Sequence, residues 1–210
     1  MELALAQSLV GTTAFFQSEL DRAEDAYSIA LGVVESTSIG GPITCDLLGN
    51  LGLVAMRRGD LDGARRFFHR EIEIAEQLGA DTPQYSHAAN YLGLLCKNLG
   101  RYEDARVHYE QALAMAERLG GPNHAHVAHC LNGLGILLEE TEPERARGYY
   151  ERALQIWSDN DGETDSKVAY ALANLGGMAL DAGDLEQAET RLRRAVEIAE
   201  ARNIPPHDLA

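Results

Sequence analysis

At 210 residues, with 45% hydrophobic side chains and six prolines, the chain has enough apolar material for a continuous core and few interruptions to helices. Its 18 basic against 33 acidic groups give a net charge of −15, which repels nucleic-acid phosphate and anionic lipid headgroups and argues against both as partners. No apolar run approaches the roughly 20 residues of a membrane span, and Cys45, Cys96 and Cys130, odd in number and set in apolar helical stretches, fit a reducing cytoplasm better than a secreted disulfide scaffold.

Taken in chain order, the sequence repeats itself five times, over about 1–40, 41–81, 82–123, 124–164 and 165–205. The N-terminal stretch Met-Glu-Leu-Ala-Leu-Ala-Gln has no basic region or cleavage pattern and opens directly into the first repeat. That repeat carries Gly11 on a first helix and Ala23, Tyr27 and Ala30 on a second, with Gln7 where later repeats place Leu or Ala, as suits an end cap. In the second repeat Leu51, Ala55, Ala64, Phe68 and Ile72 fall at helical spacings on either side of the stop signal Arg58-Gly59-Asp60, so the unit reads as helix, turn, helix. Glu71 stands there in a column otherwise filled by Ala30, Ala112, Ala153 and Ala195, which predicts a looser or splayed second hairpin.

The third repeat supplies Gly93, Ala105 and Tyr109, the fourth Gly135, Ala146 and Tyr150, and the fifth Gly176, Ala188 and Leu192. The glycines recur every 41 to 42 residues. The small glycine and alanine let two backbones approach while the bulky side chain fills the wedge beside them. Neither helix can bury its face alone, so stability must come from stacking one hairpin on the next. The fourth repeat is one residue short between its glycine and alanine, and its turn reads Thr141-Glu142-Pro143. A proline in a first turn with threonine before it favours a helix start, so the hairpin should survive with an altered local angle.

Leu-Gly on a first helix followed by Ala, Phe or Tyr, and Ala on a second resembles the tetratricopeptide signature, with a period longer than its usual value of about 34. Strings such as Tyr109-Glu-Gln-Ala-Leu-Ala-Met-Ala-Glu and Gly121-Pro-Asn-His are similar to the longer repeats of kinesin light chains and of bacterial regulators. The resemblance implies a single right-handed, all-α solenoid over 1–210 with about ten helices, and a protein that binds peptides, helices or other proteins. It implies no catalytic activity and no cofactor.

The candidate chemistry supports that reading. His124, His126, His129 and Cys130 crowd together, and His126 with Cys130 at i, i+4 could face one metal, but a structural site needs a second ligand pair that the sequence lacks. Asp159, Asp161, Glu163 and Asp165 alternate through one loop; counted from Asp159, the positions where a calcium loop requires glycine and an acid are Thr164 and Tyr170. No phosphate-binding loop, nucleophile elbow or His-Glu-x-x-His motif is present.

Binding should use the side of each first helix that points away from its own second helix. Counted from the column glycine, this is the stripe at −6, −3, +1, +4 and +5, which would line a concave surface. The candidate residues are Phe16; Leu53, Met56 and Arg57; His87, Asn90, Leu94, Lys97 and Asn98; His129, Asn132, Ile136 and Glu139; and Tyr170 and Leu180. Asp46 and Gly49 share the stripe. Its floor is apolar, at Leu53, Leu94 and Ile136, and its −3 and +1 columns hold no basic residue, unlike repeats that clamp acidic carboxyl-terminal tails. That profile suits an amphipathic helix or an extended apolar peptide. Two other readings stay open: a ligand- or peptide-sensing domain of a larger bacterial regulator, and a self-association module. The tail from Ile204 to Ala210 is similar to the opening of earlier first helices, so the chain is expected to be an excerpt of a longer array. Its last helix should then present an uncapped apolar face suited to homo-oligomerisation.

Overall fold

The structure is a computed structural model that describes residues 2–37, 41–79 and 82–202. Among these residues the chain forms ten α-helices and no strand: α1 (Glu2–Phe16), α2 (Leu20–Ser36), α3 (Pro42–Arg57), α4 (Leu61–Leu78), α5 (Pro83–Asn98), α6 (Tyr102–Gly120), α7 (Ala125–Leu138), α8 (Pro143–Asp161), α9 (Ser166–Asp181) and α10 (Leu185–Arg202). Consecutive helices pair into hairpins, so the fold is an all-α helical repeat. The helices group into two compact units, Met1–Met115 and Ala116–Ala210, with the division inside α6.

Each hairpin closes on the glycine column. A Cβ added to Gly11 would stand 2.7 Å from the Tyr27 ring; at Gly52 it would meet Phe68 at 2.2 Å, at Gly93 Tyr109 at 2.8 Å, at Gly135 Tyr150 at 2.6 Å, and at Gly176 Leu192 at 2.7 Å. None of these distances leaves room for a methyl group. The glycines therefore set how closely first and second helices approach, and the bulky residue fills the space so made. Gly52→Ala gains about 1 kcal/mol of helix propensity but drives a methyl into the fully buried Phe68 ring, where overpacking costs about 1–3 kcal/mol. We expect a net loss of stability in urea titration, partly restored by adding Phe68→Leu.

The turns inside the hairpins follow from backbone stereochemistry. Gly59, Gly100 and Gly183 adopt φ of 78°, 72° and 77°, the left-handed region that side chains disfavour. The first hairpin makes this turn with Ser18 at φ 60°. In the fourth, α8 starts at Pro143 as the sequence suggests, yet the residue before the helix is Glu142, whose side chain makes no capping hydrogen bond. Threonine does not cap this helix.

In the first unit one core cluster joins Tyr27, Leu31 and Val34 to Leu47, Leu48, Leu51 and Val54, and a second joins Phe68 to Leu92 and Leu95. In the second unit Leu138 and Tyr150 pack with Leu175 and Met178. Ion pairs join neighbouring second helices or turns at the surface, among them Arg58 to Asp21, Arg70 to Glu35, and Arg152 to Glu117 at 2.7 Å. Exposed pairs of this kind contribute about 0–1 kcal/mol each, so the hairpins are held by burial and not by charge.

Two expectations are corrected. The second hairpin is not splayed by Glu71. That side chain is 2% exposed, and Ala64 and Phe68 beside it are fully buried. Its carboxylate lies over Gly49, with Oε2 3.1 Å and Oε1 3.4 Å from where a Cβ of that glycine would be, so a missing side chain on α3 makes room for the extra one on α4. The last helix, for its part, does not present a mainly apolar face. Its exposed residues include Glu186, Glu189, Arg193, Arg194, Glu197 and Glu200, with Leu185 and Val196 as its large apolar ones. Large exposed apolar side chains gather on α1 instead, at Leu3, Leu5, Leu9, Val10 and Phe16. The tail read as the start of a sixth hairpin, Ile204 to Ala210, lies outside the described residues.

Candidate partner-binding face

The first helices owe their two-sided character to the core columns. Leu48, Leu51 and Ala55 on α3, and Ala89, Leu92 and Cys96 on α5, are buried. The stripe turned away from them is left open to different degrees. Phe16 at the end of α1 is 78% exposed, Leu180 on α9 52% and Ile136 on α7 37%. On α3, Arg57 is exposed, while Leu53 and Met56 are half-buried and pack partly against the Phe68 cluster. On α5, His87, Asn90, Leu94 and Lys97 are half-buried and Asn98 is exposed. In the second unit His129 is exposed, and Asn132, Glu139 and Tyr170 are half-buried.

Several of these side chains already have work within the fold. Arg57 lies with its guanidinium 4.3 Å from the Phe15 ring centre and donates to the Phe15 carbonyl at 3.2 Å, tying α3 to α1. Glu139, just past α7, accepts a 3.0 Å hydrogen bond from the Tyr150 hydroxyl, so it is part of the fourth hairpin's packing. Asn174 donates to Asn132 Oδ1 at 3.2 Å, joining α9 to α7. The His129 ring sits edge-on to Trp157, with centres 5.4 Å apart. Asn90 Oδ1 differs from these: it is buried with no hydrogen-bond partner. A buried acceptor without a donor costs free energy, and a polar ligand could supply the donor.

The sequence stripe did not reveal two other side chains of the first unit. Glu71 is buried with Oε2 unpartnered, and burial, with Asp46 adding to it, pushes its carboxyl up to about 9. Tyr91 stacks on Phe68 at 5.2 Å, and its ring edge comes within 3.0 Å of the Cβ position of Gly49. The signal for Glu71 was its place in an alanine column. Tyr91 gave none, because its column is neither core nor stripe.

The histidine and acidic clusters resolve into local structure. His124 precedes α7 and accepts from the His126 backbone amide at 3.2 Å, acting as the cap of that helix. Cys130 Sγ is 3.8 Å from His126 Nε2, and burial pushes its thiol up to about 12, which makes it a poor metal ligand near neutral pH. Asp165 caps α9 by accepting from the Lys167 amide at 3.0 Å, while the Lys167 ammonium pairs with Asp161 at 2.7 Å. Among the described residues no three potential ligands gather as a metal site, and no helix is long and apolar enough to cross a membrane.

Comparison with known proteins agrees with the helical-repeat fold. The family profile described as tetratricopeptide repeat matches residues 43–118, 87–157 and 141–201. No curated protein matches. Among solved structures, BtubC (BKLC) from P. vanneervenii is 28% identical with a TM-score of 0.73, over 94% of this chain and 80% of that one. A putative kinesin light chain from Podosopora anserina with nearly identical TPR-like repeats is 14% identical with a TM-score of 0.63, over 93% of this chain and 95% of that one. A Rap protein complexed with Competence and Sporulation Factor is 16% identical with a TM-score of 0.76, over 90% of this chain but 52% of that one. The last two likenesses concern the fold alone. With the repeat profile covering most of the sequence and all five glycine wedges in place, the chain belongs to the tetratricopeptide repeat family.

Proposed function

We propose that this chain is a non-catalytic protein-interaction scaffold that holds an extended peptide or an amphipathic helix against the exposed stripe of its first helices. The observation that carries this reading is the contrast between the two sides of α3 and α5. The core columns are closed, while Leu53, Leu94, His87 and Asn90 remain accessible, and Asn90 keeps a buried acceptor without a donor. An accessible leucine on each of α3 and α5, with the Asn90 amide one turn from Leu94, can take the apolar face of a ligand and bond its backbone. The three cysteines are free and buried, which suits the reducing cytoplasm. Nucleic acid and membrane are disfavoured as partners by the charge of −15.

The structure of a Rap protein in complex with Competence and Sporulation Factor supports a second reading, that the chain is the ligand- or peptide-sensing part of a larger bacterial regulator. Both readings use the same face. Self-association is a third arrangement, and the apolar exposure of α1 makes the N-terminal helix a better place for it than α10.

The face can be tested with a peptide selected from a random display library on the immobilised protein. Leu94→Asp puts a charge at the apolar floor, and we expect it to weaken that peptide by more than tenfold, at least about 1.4 kcal/mol. Because Leu94 is only half-buried, the loss of folding stability should be small. Unchanged peptide affinity in the Leu94→Asp protein would reject the stripe as the binding face.

A further inference from the structure

The buried acid of the first unit has no role in holding the fold that a smaller residue could not fill. Four of the five repeats place alanine in its column. The carboxylate is not directed into the core clusters: it lies over Gly49, the one glycine in the −3 column, where the other repeats carry Ser8, Asn90, Asn132 and Ala173. It therefore occupies the space that a side chain of the candidate face would fill. Oε2 is buried without a partner, and in the next repeat Asn90 Oδ1, in the same column, is also buried without one. Asn90 Oδ1 is an acceptor that lacks a donor, and Glu71 Oε2 becomes one when the acid ionises. One helical turn before Gly49 stands Asp46, exposed at the surface and close enough to act electrostatically on Glu71.

We propose that Glu71, lying over Gly49 and flanked by Asp46 and Tyr91, forms a subsite for a cationic side chain, an ammonium or guanidinium group, of the segment bound by the first unit. The inference rests on the reading of the stripe as a binding face and adds the chemistry of one contact. A cation brings N–H donors for Oε2 and a positive charge for two neighbouring carboxyl groups, and the Tyr91 ring beside them offers an aromatic surface. Neutral donors would satisfy the hydrogen bond but gain nothing from Asp46. The groups that face Glu71 are Asp46 and Cys45 on α3 and Tyr91 on α5; burial pushes this tyrosine up to about 12 and the cysteine up to about 12, so neither is charged near neutral pH. Glu71 is itself held protonated by burial. Binding of a cation stabilises its ionised form, and the displaced proton passes to solvent.

The test uses the full chain labelled with carbon-13 at glutamate carboxyls, the Glu71 signal being assigned by its loss in Glu71→Gln. The protein is titrated at neutral pH with n-butylammonium chloride or n-butylguanidinium chloride, with sodium chloride at matched ionic strength as control. We expect one or both probes, and not sodium, to move the Glu71 signal towards its ionised position and to lower its titration midpoint by at least one pH unit. Asp46→Asn, an exposed and conservative change, should weaken the probe by severalfold. A Glu71 signal that ignores both probes up to a tenth molar, or that answers equally to sodium, overturns the subsite. These probes carry no peptide backbone, so that failure leaves the binding face itself to be judged by Leu94→Asp.

Discussion

Tyr109→Ala is expected to remove about 3–5 kcal/mol of stability, a large share of the roughly 5–15 kcal/mol that a domain commonly has. Tyr109 is 2% exposed and fills the wedge of the third hairpin, against the glycine that lets α5 and α6 approach. Removing the ring leaves a cavity that α5 and α6 cannot close, because Gly93 offers nothing to fall into it. The natural control is Tyr102→Ala at the start of the same helix. That ring is 61% exposed, and its loss should change stability by no more than about 0.5 kcal/mol. Denaturation in urea followed by circular dichroism separates the two. Equal losses would show that the column aromatic is not the wedge.

The second large effect has the opposite sign. Glu71→Gln should stabilise the protein near neutral pH, because the folded chain must hold this carboxyl in its protonated form. Burial, then Asp46, moves its pKa from 4.5 to about 9. Between those values the folded state binds more protons than the unfolded one, so this group's contribution falls as pH rises. The loss is about 1.4 kcal/mol per pH unit, beginning near pH 4.5 and ending near pH 9. At pH 7 the wild-type chain should therefore be roughly 3 kcal/mol less stable than one with a neutral isostere, and the gap should shrink to under about 1 kcal/mol at pH 5. Melting temperatures of wild type and Glu71→Gln between pH 5 and pH 8 check this. Parallel curves would mean that Glu71 is ionised in the folded protein.

The hairpins were legible because each depends on two or three residues that recur in one register five times. Gly52 and Phe68, or Gly135 and Tyr150, are close in sequence, and the small residue and the bulky one explain each other. Glu71 is equally visible as a departure, but its consequence is not. The compensating residue, Gly49, sits on another helix, in a column assigned to ligand binding and not to packing. A single sequence shows that a position differs; it does not show which distant position has changed with it. The stripe itself was legible as a helical face, but not its internal use. Nothing in the spacing says that Arg57 would lie on Phe15, or that Glu139 would accept from Tyr150. The expected apolar end of the array failed for a related reason. The repeat pattern fixes Ala188 and Ala195 as core, but the outer side of α10 is set by charged residues between the columns, Glu189, Arg193 and Glu197, which carry no repeat signal.

Where a partner lies on this chain is read from a map of amide shifts in the full chain on adding the display-selected peptide. If the first helices form the binding face, the largest changes will fall on Leu53, Asn90 and Leu94 in the first unit, or on Asn132 and Ile136 in the second. The exposed second-helix residues Arg66, His69 and Val107 should stay still. Changes confined to those second-helix residues, with the first-helix stripe unmoved, would put the partner on the second helices and rule out the first-helix face.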